Sequence, residues 1–154
     1  MNKILNIIKE EKIIAIIRLS SKEKTAKCFE ALYNGGIKTA EIPFNVPNAS
    51  ECIAYTVNYM NNTDMIIGAG TVLTCKMAKA AIKAGAKFIV TPNLNKRVIK
   101  LCQRKNIPII PGIFTPTEAI QAMEFGINVV KLFPASAYQP RIIKDLKTPL
   151  NNLE

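Results

Sequence analysis

Six short apolar runs rich in β-branched residues punctuate the chain, at 13–17, 39–44, 65–69, 88–91, 107–111 and 129–133. Each is followed by a longer stretch in which apolar residues recur at helical spacing: 21–34, 48–61, 75–84, 95–105, 116–125 and 140–147. Local signals mark the helix ends. Ser20-Ser21-Lys22-Glu23 offers an N-cap with an acid in the first turn, and Thr115-Pro116-Thr117-Glu118 sets a cap, a first-turn proline and a glutamate in the order a capping box needs. Gly35-Gly36, Gly85 and Gly126 fall where helices should stop. Ahead of the first run, the amphipathic stretch 1–12 predicts a surface helix.

Strict alternation of strand and helix predicts parallel strands joined by crossover helices, as an α/β fold. Ala-Gly-Ala-Lys-Phe-Ile-Val at 84–90 and Phe-Gly-Ile-Asn-Val-Val-Lys at 125–131 repeat one element, helix end then glycine then strand. Apolar runs of this kind suit a sheet covered on both faces. A doubly wound open sheet and a (β/α)8 barrel both fit, and the regular one-strand, one-helix spacing favours the barrel. A closed barrel needs eight strands. Six are legible, with 151–154 reading as the start of a seventh, so the expectation is a single incomplete barrel domain over 1–154 that lacks strands 7 and 8.

Composition narrows the chemistry. With 49% hydrophobic and 21% charged residues, the 154-residue chain is globular in character. No apolar run approaches the ~18–20 residues that span a bilayer, and the N-terminus lacks a signal-peptide pattern, so the expected location is the cytoplasm with no membrane partner. The net charge of +10 comes from lysines scattered over every predicted helix, with no nucleic-acid-binding motif; a positive field suits a small anionic substrate instead. Histidine is absent, which removes Ser-His-Asp and Cys-His catalysis and the commonest metal ligand. Cys28, Cys52, Cys75 and Cys102 have neither zinc-site nor disulfide-framework spacing and read as reduced packing residues, so no metal is expected.

In either architecture the active site gathers at the C-terminal ends of the strands. The sixth run places Lys131 between Val129-Val130 and Leu132-Phe133. An amine attacks a ketone only when neutral, and an apolar strand interior favours the neutral form; the plain alternative is a lysine snorkelling from a strand end. Glu41 sits inside the second run, where a buried carboxylate needs a partner or a task. In a barrel, alternate strands fill one layer, so these two side chains should meet. Together they form the minimum set for imine chemistry with proton transfer; the plain alternative is a buried ion pair. Arg18, at the end of the first run, suits an acidic substrate group. Gly68-Ala69-Gly70-Thr71 permits close backbone approach and offers the Thr71 hydroxyl and N–H to a carboxylate, but lacks the spacing of a dinucleotide or Walker motif.

Ala-Glu-Ile-Pro-Phe at 40–44, Gly-Ala-Gly-Thr-Val at 68–72, Ile-Val-Thr-Pro-Asn at 89–93, Ile-Pro-Gly-Ile at 110–113 and Val-Lys-Leu-Phe-Pro-Ala at 130–135, taken in order, resemble the 2-keto-3-deoxy-6-phosphogluconate (KDPG) aldolase family. The resemblance implies a class I aldolase on a (β/α)8 barrel, usually a homotrimer, needing no cofactor. It would cleave 2-keto-3-deoxy-6-phospho-sugar acids to pyruvate and glyceraldehyde 3-phosphate, and in some members 4-hydroxy-2-oxoglutarate to pyruvate and glyoxylate. It makes Lys131 the imine lysine, Glu41 the general acid/base, Thr71 the holder of the pyruvate carboxylate, and Arg18, Asn45 and Pro92 further substrate-binding positions. Asn45 stands where phosphogluconate-type members often carry an arginine. The surrounding Glu-Ile-Pro-Phe-Asn-Val-Pro is closer to the 6-phosphogalactonate branch, as is Val-Thr-Pro-Asn. The family's substrate-phosphate loops follow strands 7 and 8, beyond residue 154. Two other readings share these features: an inactive barrel fragment that keeps the family pattern, with unpaired edges on the first and last strands, and another phosphate-binding barrel such as an epimerase, against which the strand-borne lysine argues.

Overall fold

A computed structural model describes residues 3–154. Helix α1 (Lys3–Glu11) precedes an alternation of β1 (Ala15–Ile16), α2 (Lys22–Asn34), β2 (Thr39–Pro43), α3 (Ala49–Tyr59), β3 (Ile66–Gly70), α4 (Cys75–Lys83), β4 (Ile89–Val90) and α5 (Lys96–Arg104). The later part holds β5 (Ile109–Ile110), β6 (Gly112–Ile113), α6 (Pro116–Glu124), β7 (Lys131–Leu132), a 3-10 turn at Ala135–Ala137 and α7 (Arg141–Lys147). Every strand pairing is parallel. β1 to β5 form one sheet in sequence order, and β6 pairs with β7.

The fifth apolar run therefore yields β5, a further strand segment, β6, begins just beyond it, and Lys131 lies on the seventh strand segment rather than the sixth. Pro111 is the cause. It has no N–H to give to a ladder, and its carbonyl instead accepts from Lys131 N at 2.9 Å. The chain changes partner there, from β4 on one side to β7 on the other. Beyond β7, Glu154 N donates to Asn128 O and Val130 N donates to Glu154 O at 2.9 Å, the bonding of a parallel pair centred on Val129.

The helix ends follow the chemistry of the sequence. The Ser21 side chain accepts from Lys24 N, Thr74 from Met77 N and Asn95 from Arg97 N and Val98 N. Thr115 and Glu118 close a full capping box. Gly85 and Gly126, which open the repeated phrase, have φ of +98° and +71°, the left-handed conformation that lets the chain leave α4 and α6 for the next strand.

Strand alternation sorts the core into two layers. Ala40, Ile42, Ile67, Ala69, Ile89 and Ile109 point outward and pack with Phe29, Ile53, Val98 and other helix residues. Phe88, Val90 and Ile110, with the partly buried Ile14, Ile66 and Val129, point inward around Ile8 of α1. The opening helix is thus more than a surface element: Ile8 is buried and plugs the inner face of the sheet. All four cysteines are free, Cys52 and Cys102 within the outer layer and Cys28 and Cys75 at its margin. Among the described residues, no helix is long and apolar enough to cross a membrane.

Candidate active site

On the inner face of the sheet two ionisable side chains, Glu41 and Lys131, line the same cleft. Glu41, at the middle of β2, is paired across the ladder with Ile16 on one side and Gly68 on the other. Its side chain is 3% exposed, and its Oε2 is buried with no hydrogen-bond partner. Among the described residues, nothing forms an ion pair with it. Removal from water pushes the carboxyl up to about 7, against the opposing pull of the Lys131 and Arg18 cations. The buried ion pair that would explain Glu41 on purely structural grounds is not formed.

Lys131 and Glu41 line one cleft of about 270 Å³, whose other walls are Ile8, Ile14, Ile16, Val90, Ile110, Val129 and Val130. In an apolar enclosure a single carboxyl and a single amine act on each other and on whatever enters, with few competing polar groups. Lys131 departs from expectation in one respect. It is half-buried rather than sealed, because β7 is only two residues long and Phe133, on the same face, is exposed. The Lys131 Nζ lies 5.0 Å from the centroid of the Phe133 ring, a cation–π distance.

The other predicted site residues surround this pair at varying distances. Arg18 is exposed beyond the end of β1, two residues past the last strand residue, and acts on Glu41 through its charge. Thr71, directly after β3, is half-buried with φ of +52°, a conformation that costs a β-branched residue free energy. Asn45 is exposed after β2, and Pro92 is half-buried after β4. None of the four lines the cleft itself. Two residues at the centre were not singled out as sites from the sequence. Ile8 reaches the cleft from α1, a contact between distant parts of the chain. Gly70 lies beneath the Glu41 carboxyl, where a Cβ would fall 2.3 Å from the Glu41 Cδ.

A family model for KDPG and KHG aldolases matches residues 4–154. The chain belongs to this aldolase family. Its members are lyases, and the parallel α/β architecture above is theirs. A 2-dehydro-3-deoxy-phosphogluconate aldolase of Treponema pallidum is 41% identical over 135 residues, covering 88% of this chain and 63% of that protein. A 2-dehydro-3-deoxy-6-phosphogalactonate aldolase of Escherichia coli is 36% identical over 138 residues, covering 90% of this chain and 67% of the relative. Among solved aldolase structures, the KDPG aldolase of Legionella pneumophila, with pyruvate captured at low pH as a covalent carbinolamine intermediate, superposes with a TM-score of 0.86 at 29% identity, covering 92% of this chain and 68% of its own. The chain thus spans roughly two thirds of the length of the aldolases it matches, 63% for the first of them.

Proposed function

We propose that this aldolase-family chain carries the imine-forming site of a class I aldolase acting on 2-keto-3-deoxy-6-phospho-sugar acids. The observation that carries the reading is that Lys131 shares one apolar cleft with a Glu41 carboxyl whose buried Oε2 has no hydrogen-bond partner. The Lys131 amine attacks the C2 ketone to give a carbinolamine, and loss of water leaves a protonated imine. The imine draws the electron pair of the C3–C4 bond as that bond breaks. The Glu41 carboxylate takes the proton of the C4 hydroxyl, which leaves as an aldehyde, and the C1–C3 fragment remains as an enamine. Glu41 returns the proton to C3, and water hydrolyses the imine to release pyruvate. A carboxyl poised at about 7 both accepts and donates near neutrality. Arg18 supplies positive charge for an acidic substrate, Thr71 holds the substrate carboxylate, and Asn45 and Pro92 contact its remainder. No metal or organic cofactor takes part.

In the same reading, residues 1–154 are a single domain that supplies six strand–helix units of a (β/α)8 barrel, and the protein is a cytoplasmic homotrimer. With Asn45 where an arginine would favour the phosphogluconate substrate, the 6-phosphogalactonate epimer and 4-hydroxy-2-oxoglutarate are the substrates to assay beside it. The deciding experiment is borohydride reduction in the presence of pyruvate, followed by peptide mass spectrometry. A pyruvyl adduct on Lys131 is expected, and it should vanish in Lys131→Met. A folded chain that yields no adduct on Lys131 would mean that this residue is not an imine lysine.

A further inference from the structure

Against the Glu41 carboxyl lies one feature that neither the ladder nor the turn geometry requires. Gly70 ends β3 opposite Pro43, with its carbonyl accepting from Phe44 N at 2.8 Å. Its backbone is ordinary extended chain, outside the left-handed region, so nothing about its conformation calls for glycine. In such a strand glycine is a poor choice: it loses the most backbone freedom and packs no side chain. The space beside it is nevertheless filled. A Cβ built there would lie 2.3 Å from Glu41 Cδ and Oε2 and 2.4 Å from Oε1, with Glu41 supplying all three of the nearest contacts. The carboxyl rests against the bare Cα of Gly70.

We propose that Gly70 is a positioning residue for the Glu41 carboxyl: the missing side chain at 70 is what lets the carboxyl lie on the inner face of the sheet, in the cleft that Lys131 also lines. This rests on the imine-aldolase reading of that pair. A methyl at 70 displaces the carboxyl by the better part of a bond length, toward the open cleft. Misplacement of a reacting group by about 1 Å costs on the order of 100-fold in rate. Shortening the acid by one methylene withdraws the carboxyl by ~1.5 Å and makes room for the methyl.

The test is a double-substitution cycle of Gly70→Ala and Glu41→Asp with three measurements. Borohydride trapping of pyruvate reads the imine step. Deuterium exchange into the pyruvate methyl group reads proton transfer by the carboxyl. Carbon-13 titration of the residue-41 carboxyl reads its surroundings without any catalysis. In Gly70→Ala, trapping should persist while exchange falls about 100-fold, and the carboxyl should titrate below the wild-type value of about 7 as it meets water and Lys131. Adding Glu41→Asp to Gly70→Ala should recover part of the exchange, although Glu41→Asp alone reduces it. Purely additive effects with an unmoved titration would overturn the proposal. If the wild type neither traps pyruvate nor exchanges its protons, the aldolase reading fails, and the titration then decides the positioning claim alone. If Gly70→Ala does not fold, a folded double variant supports the steric pairing, and a double variant that is equally unfolded refutes it.

Discussion

Glu41→Gln isolates the cost of one buried ionisable group. Glutamine keeps the shape of the side chain and cannot ionise. The Glu41 carboxyl is raised from 4.5 to about 7 in the folded chain, chiefly by removal from water. The folded state therefore holds this proton more tightly than the unfolded state. Its contribution to stability is fully present below about pH 4.5, drains away between about 4.5 and 7, and is lost above that. A difference of roughly 2.5 pH units at 1.36 kcal/mol each makes the contribution about 3 kcal/mol. The substitution removes the one ionisable group at position 41, so the difference between the two stability–pH curves reads chiefly the titration of that carboxyl. Urea unfolding at intervals from about pH 4 to about pH 8 should show Glu41→Gln gaining about 3 kcal/mol on the wild type, or roughly 6–12 °C in Tm. The gain should fall almost wholly between about 4.5 and 7. Parallel curves would show that the carboxyl is ionised in the folded chain at no cost, and the case for a proton carrier poised near neutrality would fall with them.

Three further substitutions test other parts of the structure. Gly68→Ala would set a methyl 2.3 Å from the ring of the fully buried Phe88, so a loss of about 1–3 kcal/mol is expected in urea unfolding, with the slope unchanged. Thr71→Gly removes the strain of a β-branched residue at φ +52°, and despite the entropy cost of glycine it should stabilise the fold by about 0.5–2 kcal/mol while weakening pyruvate trapping; a drop in Tm would show that Thr71 is held there for packing. Asn95 accepts from two helix N–H groups, and its Nδ2 donates to Leu73 O at 3.0 Å. Asn95→Ala should therefore cost about 1–2 kcal/mol, with Asn95→Asp recovering the cap but not the tie to Leu73.

How far the molecule was legible in its sequence depended on how local each signal was. The helix ends at Ser21, Thr115, Gly85 and Gly126 lie close to expectation because caps and left-handed glycines are set by a few neighbouring residues. Glu41 and Lys131 stood out because a charge inside an apolar run is costly wherever the run folds, and the parallel order of the strands brought them to one cleft. The break between β5 and β6, at the end of the fifth run, was foreseeable in principle, since Pro111 cannot donate in a ladder. The plug formed by Ile8 was not, because an amphipathic pattern announces an apolar face without naming what covers it. Gly70 was hidden for a related reason. The sequence shows a glycine able to approach something closely, and only the β2–β3 register identifies that something as the Glu41 carboxyl.

The seating of α1 bears on the order in which the molecule comes together. Helix α1 packs with Phe88, Val90, Ile110 and Val129, all far along the chain from it, and its Lys9 pairs with Glu154. During synthesis the outer layer can assemble unit by unit from neighbouring strands and helices, whereas α1 must wait, apolar face uncovered, for most of the sheet. Contacts of such long sequence separation form late and carry the largest loop-closure cost. The floor of the cleft, which Ile8 of α1 lines together with Glu41, is thus among the last parts to be laid.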